Sequence, residues 1–202
     1  MTLPQKKIVM ASGNAGKLAE LRRLLDGLAV EVIAQSELGV TDAEETGTTF
    51  AENSLIKAQH AADVTGLPAI ADDSGLVVDA LGGRPGVYSA RYAGANATDD
   101  ANIDKLLGEM ADVSEDQRSA AFHCVATCVL PGVANAIVAE GIWCGRLLKA
   151  RQGDGGFGYD PIFLDFESGR SSAELTPQEK NARSHRGQAL RSLVSQLADH
   201  FK

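Results

Sequence analysis

Several short stretches of this chain carry residue types whose spacing suits chemistry. The first is Ser12-Gly13-Asn14-Ala15-Gly16-Lys17. It puts a hydroxyl, two glycines and a cation between an apolar run, Lys7 to Ala11, and a helical pattern of Leu18, Leu21, Leu24, Leu25 and Leu28. Backbone N–H groups at such a helix start, unhindered at glycine, form an anion site. The same residues also suit an ordinary strand-to-helix turn whose glycines only permit the bend. The loop is not a Walker A sequence, which needs four residues between its glycines and a hydroxyl after the lysine.

The second stretch is Ala71-Asp72-Asp73-Ser74-Gly75, at the end of an apolar run from Leu67. Asp disfavours strands, and adjacent acids repel unless a cation lies beside them. In open α/β sheets ligands gather beyond the carboxyl ends of strands. The pair therefore reads as a catalytic or metal site at a strand end rather than a plain turn. Mg²⁺ is the expected ion, because a hard cation takes carboxylates together with substrate phosphates. A polar loop from Glu37 to Gly47 holds further acids, Asp42, Glu44 and Glu45.

The third is Gly153-Asp154-Gly155-Gly156-Phe157-Gly158-Tyr159-Asp160, where glycines let the backbone approach another group closely. Phe157 and Tyr159 are each preceded by glycine, so an open ring for stacking on a base and a buried aromatic in a surface loop are both readings. The last is a cluster of cationic donors, Lys180, His185 and Arg186. On one straight helix Lys180 and Arg186 would point roughly 240° apart. Ser184 suits a second N-cap, which predicts a break there and a new helix beginning at His185.

These residues need elements to position them. Val30 to Ala34 reads as a second strand. Thr49-Phe50-Ala51-Glu52 is a capping box opening a helix that ends at Gly66. On that helix Asn53 and Lys57 share a face, four residues apart. Thr98 to Met110 is helical, and Ser119 to Leu130 and Asn135 to Gly145 read as strands joined at Pro131-Gly132. Leu147 to Ala150 suits one more short strand. Thr176-Pro177-Gln178-Glu179 opens the last helical segment.

Composition sets the class. The chain has 202 residues, 44% hydrophobic and 23% charged, which suits a globular protein. A net charge of −8 argues against a general nucleic-acid or acidic-membrane surface. No apolar run approaches the roughly 20 residues needed to span a bilayer, and the first residues lack the apolar core of a signal peptide. Cys124, Cys128 and Cys144, an odd count without CxxC spacing, predict a reducing, cytoplasmic setting without structural zinc.

Together the motifs Ser12 to Lys17, Glu44-Glu45-Thr46-Gly47, Ala71 to Gly75, Phe157-Gly158-Tyr159-Asp160-Pro161 and Ser184-His185-Arg186 closely resemble the inosine triphosphate pyrophosphatase family, in order and over nearly the whole chain. That resemblance implies an α/β fold with a mixed, elongated central sheet flanked by helices, two lobes and an active-site cleft between them, with residues 1–202 forming one domain. It implies hydrolysis of dITP, ITP and XTP to the monophosphate and pyrophosphate by a Mg²⁺-dependent homodimer, with no nucleic-acid or membrane partner.

Carried over by position, Ser12, Gly13, Asn14, Ala15, Gly16 and Lys17 would hold the triphosphate, and Lys57 would add a cation. Asp73 would be the general base or the carboxylate that orients the metal, and Ser74 would touch substrate. The second metal carboxylate would be Glu44 or Glu45, with Glu44 preferred. Phe157, Gly158, Tyr159, Asp160, Lys180, His185 and Arg186 would form the nucleoside pocket. Cationic donors such as Arg186 favour purines with a carbonyl at position 6, which excludes adenine because a mismatched polar site is left unpaired. Two rivals remain at this stage: a nucleotide-binding regulatory module without turnover, and a phosphatase that releases inorganic phosphate.

Overall fold

The computed structural model describes residues 6–25 and 30–197. The expected extension of the first helix to Leu28, and the reading of residues 1–5, lie outside them. In chain order the elements are β1 (Lys6–Met10), α1 (Ala15–Leu24), β2 (Val30–Ala34), α2 (Phe50–Thr65), β3 (Ala69–Val78), α3 (Asp99–Glu109), β4 (Ser119–Val129), β5 (Ile137–Leu147), β6 (Phe163–Asp165), α4 (Pro177–Arg183) and α5 (His185–Leu197). The strands form one six-stranded sheet in the order β2-β1-β3-β4-β5-β6. It is mixed: β1 pairs in parallel with β2, Ile8 opposite Val32, and with β3, Val9 opposite Ala69. β5 and β6 pair antiparallel, Gly145 opposite Asp165.

The chain divides into two compact units. One comprises the residues up to Asp73, Cys124–Glu140 and those from Gln188 onward; the other comprises Ser74–His123 and Gly141–Gly187. In the first, strand alternation builds two core layers. Ile8, Met10 and Ile70 pack with Leu21 of α1, with Leu25 just past its end, and with Leu190 and Leu193 of α5. Val9, Ala11, Ala69 and Ala71 point the other way, onto Ala58, Ala61 and Ala62 of α2. That helix begins at the Thr49–Glu52 capping box and stops at Gly66, whose left-handed φ of 67° ends it.

The second unit has its own core, in which Leu76, Val78, Leu106, Met110, Tyr159 and Ile162 surround an aromatic group. Phe163 lies 4.6 Å from Phe122 and 5.1 Å from Trp143, centroid to centroid. A buried arginine, Arg118, ties this core to backbone: it donates to the carbonyls of Met110 (2.7 Å), Leu147 (3.0 Å) and Leu148 (2.9 Å).

Two expectations change. β3 does not stop at the acids but runs on through Asp72, Asp73 and Ser74 to Val78. The reason lies in its neighbours, since a lysine meets each acid and offsets the penalty that carboxylates bring to a strand. The short strand expected over Leu147 to Ala150 is also absent: β5 ends at Leu147, and the Leu148 N–H donates to the Ile162 carbonyl at 2.8 Å. β6 forms instead at Phe163–Asp165, a stretch too short to announce itself by alternation. The Pro131-Gly132 turn closes as expected, with Val133 N–H donating to Leu130 at 3.0 Å.

Candidate active site

The chemistry of the first unit is laid out by the alternation of β3. Asp72 shares the side of Ile70, facing the α1 layer, and Asp73 shares the side of Ala69 and Ala71, facing α2. Adjacent in sequence, the two carboxylates are thus sent to different partners. Lys17, in the first turn of α1, reaches Asp72 at 2.8 Å, and the Asp72 side chain is fully buried. Lys57, from α2, reaches Asp73 at 2.9 Å and Glu45 at 2.8 Å.

The loop before α1 is ordered locally. The Asn14 side chain caps the helix, accepting from Gly16 N–H (2.9 Å) and Lys17 N–H (3.1 Å), while Ser12 Oγ accepts from Asn14 N–H at 3.1 Å. This is the capped strand–loop–helix that the glycine spacing suggested, with Lys17 as its outgoing cation.

The acidic loop runs back along α2. Thr41 carbonyl meets His60 Nε2 at 3.0 Å, Glu45 meets Lys57, and the Gly47 N–H donates to Asn53 Oδ1 at 2.9 Å. Residues 53, 57 and 60 lie on one helical face, so successive turns of α2 hold successive points of the loop. Gly47 is required there, because a Cβ would lie 2.6 Å from Glu52 Cβ and 2.7 Å from Asn53 Oδ1. It is Glu45 that meets Lys57; Glu44, the residue preferred from sequence, is exposed.

Glu45, Lys57 and Asp73 carry two negative charges against one positive. Burial raises the Asp73 carboxyl above its ordinary value; the Lys57 ammonium opposes this and Glu45 adds to it. Burial pushes Lys57 down, but Asp73 and Glu45 together more than offset it, so its pKa lies above the usual lysine value. Asn53, fully buried, donates from Nδ2 to the second Asp73 oxygen at 3.3 Å. Among the described residues no three His, Cys, Asp or Glu side chains gather as a ready-made metal cluster.

The second unit holds an aromatic and cationic set. Phe157 is 57% exposed, whereas Tyr159 is 4% exposed, sits in the core and donates its hydroxyl to the Ser89 carbonyl at 2.9 Å. Of the two rings expected for stacking, only Phe157 is open; Tyr159 anchors the loop. Asp160 organises that loop: it accepts from Phe157 N–H (2.8 Å) and Ser172 Oγ (2.9 Å), and it pairs with Lys180. Gly156, at φ 77°, permits this, since a Cβ there would overlap the Asp160 carboxylate. From α3, Asp99 accepts the Gly158 N–H at 2.6 Å.

The helix break falls at Ser184, whose hydroxyl accepts the Gly187 N–H at 3.1 Å. Its consequence is geometric. The Lys180 ammonium lies 4.7 Å and the Arg186 guanidinium 5.8 Å from the Phe157 ring centroid, so both cations reach one ring. Arg186 also donates to Ser74 Oγ at 3.1 Å, and His185 stacks on Phe122 at 4.9 Å. The sequence places Asn53 on the face of Lys57 by its four-residue spacing but gives it no role, and it shows neither the contact of Asp99 with Gly158 nor the pairing of Lys17 with Asp72.

Fold and side chains define an α/β protein whose first unit presents lysine–carboxylate pairs on β3 and whose second unit presents a cation-flanked aromatic ring. The chain belongs to the Ham1 family, whose profile matches residues 8–196. It is 58% identical over 193 residues to the dITP/XTP pyrophosphatase of Pectobacterium atrosepticum, covering 95% of this chain and 98% of that one. It is 55% identical to the dITP/XTP pyrophosphatase of Escherichia coli O157:H7 over the same shares. A HAM1 protein from Coxiella burnetii superposes with a TM-score of 0.92 at 50% identity, over 96% of this chain and 99% of that one.

Proposed function

We propose that this chain hydrolyses dITP, ITP and XTP to the monophosphate and pyrophosphate, residues 1–202 working as a single nucleoside-triphosphate pyrophosphatase domain that clears deaminated purines from the nucleotide pool. The observation that carries the proposal is the Glu45–Lys57–Asp73 cluster: two carboxylates on one largely buried ammonium, with a second lysine–carboxylate pair, Lys17–Asp72, on the neighbouring residue of β3.

In this reading Asp73 is the base. Its carboxylate accepts a proton from the water that attacks the α-phosphorus. The bond from that phosphorus to the bridging oxygen breaks, and pyrophosphate leaves with its charge opposed by Lys17 and Lys57. An ammonium has three donors, and Lys57 uses two on Glu45 and Asp73. The Ser12 to Lys17 loop holds the phosphates, and Ser74 touches substrate beside Asp73.

The donor set fits Mg²⁺. Glu45 and Asp73 are hard oxygen ligands with one negative charge in excess, and Mg²⁺ commonly takes one or two carboxylates plus substrate phosphates. Held by Glu45 and Asp73, the ion would neutralise phosphate oxygens. Phe157 stacks the purine, while Lys180, His185 and Arg186 offer donors to its oxygens; Asp160 and Tyr159 fix the loop. A cytoplasmic homodimer belongs to the same proposal, supported by the family likeness and by three cysteines that are all free thiols.

The test is product analysis with Mg²⁺ on dITP, XTP, dGTP and ATP. Pyrophosphate and monophosphate from the first two, with little from the others, is the expected result. Inorganic phosphate would move the attack to a terminal phosphorus and overturn the mechanism. Tight binding without turnover would make the chain a nucleotide-binding module.

A further inference from the structure

We infer that Asn53 is a positioning residue that holds Asp73 and Glu45 in register with one another; the inference rests on the proposed roles of those two carboxylates. Asn53 is fully buried and makes two hydrogen bonds with opposite senses. Its Oδ1 accepts from the Gly47 N–H at 2.9 Å, and its Nδ2 donates to Asp73 Oδ2 at 3.3 Å. The first bond fixes which way round the amide lies, because a backbone N–H can only donate. The donor end is therefore committed to Asp73.

Lys57 holds the other oxygen, Oδ1, of the same carboxylate at 2.9 Å. With one oxygen on residue 53 and the other on residue 57, the Asp73 carboxylate is fixed by two successive turns of α2, and its plane cannot rotate without breaking a bond. The links close a ring. Asp73 joins Lys57, Lys57 joins Glu45 at 2.8 Å, Glu45 is followed by Thr46 and Gly47, and Gly47 returns through Asn53 to Asp73. Asn53 is the member that ties the backbone of the acidic loop to β3. The close fit of Gly47 against Asn53 and Glu52, which no side chain could share, is the mark of a loop held at a set distance.

Two variants separate the arms of the ring. Asn53→Ala removes both bonds. Asn53→Asp keeps an acceptor for Gly47 but replaces the donor to Asp73 with a like charge. The readouts are kcat and KM for dITP at saturating Mg²⁺, Mn²⁺ binding to the nucleotide-free protein followed by electron paramagnetic resonance, and the thermal midpoint. Groups that orient metal ligands typically contribute about 10- to 100-fold in affinity or activity. Both variants are expected to lose about that factor in kcat with the dITP KM changed less than about threefold, and Asn53→Ala to bind Mn²⁺ at least about tenfold more weakly.

A folded Asn53→Ala with unchanged kcat or unchanged Mn²⁺ affinity overturns the inference. So does a loss confined to KM, or one that only tracks the fraction of unfolded protein. If Asn53→Ala does not fold, Asn53→Asp decides by its kcat. Wild-type protein that turns over no dITP with Mg²⁺ defeats the proposed function instead, and that arm is read first.

Discussion

Replacing Asp73 by asparagine should separate catalysis from stability. The new amide has nearly the shape of the carboxylate but can accept at only one of its two positions. Asn53 cannot turn to accommodate it, because its own oxygen is held by the Gly47 N–H at 2.9 Å. One hydrogen bond is lost, at a net cost of about 1 kcal/mol. Against this stands the relief of a buried carboxylate whose pKa the fold already pushes up. Lys57 keeps Glu45 at 2.8 Å, so no buried ammonium is stranded. The two effects nearly cancel, leaving a change within about 1 kcal/mol, or roughly 2–4 °C in Tm for a chain of this size.

Turnover should respond very differently to the same substitution. Loss of a general base typically lowers the rate about 10²- to 10⁴-fold, or roughly 2.7–5.4 kcal/mol of barrier at 1.36 kcal/mol per factor of ten. The assay is pyrophosphate release from dITP at saturating Mg²⁺, run beside a thermal melt of the same preparation. Near-normal kcat in folded Asp73→Asn protein would refute the role of Asp73 as base. A Tm fall well beyond about 8 °C would refute the cancellation and make the carboxylate a structural one.

Phe157→Ala should raise the dITP KM roughly 5- to 150-fold, the equivalent of about 1–3 kcal/mol of stacking, with a smaller effect on kcat and little on Tm because the ring is 57% exposed. An unchanged KM would remove Phe157 from the base pocket. Arg118→Met leaves the Met110, Leu147 and Leu148 carbonyls without their donor. At least about 3 kcal/mol should be lost, a Tm drop of roughly 6–12 °C, and a melt within about 2 °C of wild type would contradict it. Glu179 caps α4, and the Thr176 N–H, Arg170 and the Thr176 hydroxyl hold its pKa near about 2 rather than the ordinary 4.5. A depressed carboxylate stabilises above its ordinary value and loses that effect as pH falls towards the folded value. The gap in urea midpoint between wild type and Glu179→Gln should therefore be full at pH 7 and shrink below pH 4.5; a gap that does not change with pH would assign the effect to something other than the charge.

Where a rule of local chemistry was decisive, the sequence predicted the structure to the residue. The Thr49–Glu52 box, Gly66, the Thr176–Glu179 box and the stop at Ser184 are all end signals written in side chains that bond their own backbone, and each lies where its spacing implied. Long-range pairing was not legible in that way. Strand propensity argued that Asp72 and Asp73 end β3, because nothing within that segment shows that lysines 55 and 16 residues earlier will neutralise them. The Glu44–Glu45 ambiguity had the same origin. Neighbouring loop residues of the same type differ by which one faces α2: Glu45 meets Lys57 at 2.8 Å while Glu44 is exposed, a difference that residue type does not show. Phe157 and Tyr159 looked equivalent as glycine-preceded aromatics; only the Ser89 carbonyl, seventy residues earlier in the chain, separates the buried ring from the open one.

The arrangement on β3 shows how two acids stand side by side in one strand, each with its own lysine. A strand sends consecutive side chains to opposite faces, so adjacency in sequence gives separation in space. Asp72 is committed to Lys17 and lies fully buried, out of reach of bulk water. Asp73 instead shares its lysine with Glu45 and keeps some exposure, 11% of its side chain. One carboxylate therefore anchors the lysine of the loop before α1, and the next retains the excess charge and the access that its proposed role as base requires. Exchanging their positions by a one-residue slip of β3 would bury the proposed base and leave Glu45 on Lys57 alone. Pairing of β3 with β1 at Val9 and Met10 fixes that register, so the same strand pairing that builds the core of the first unit also places the proposed base.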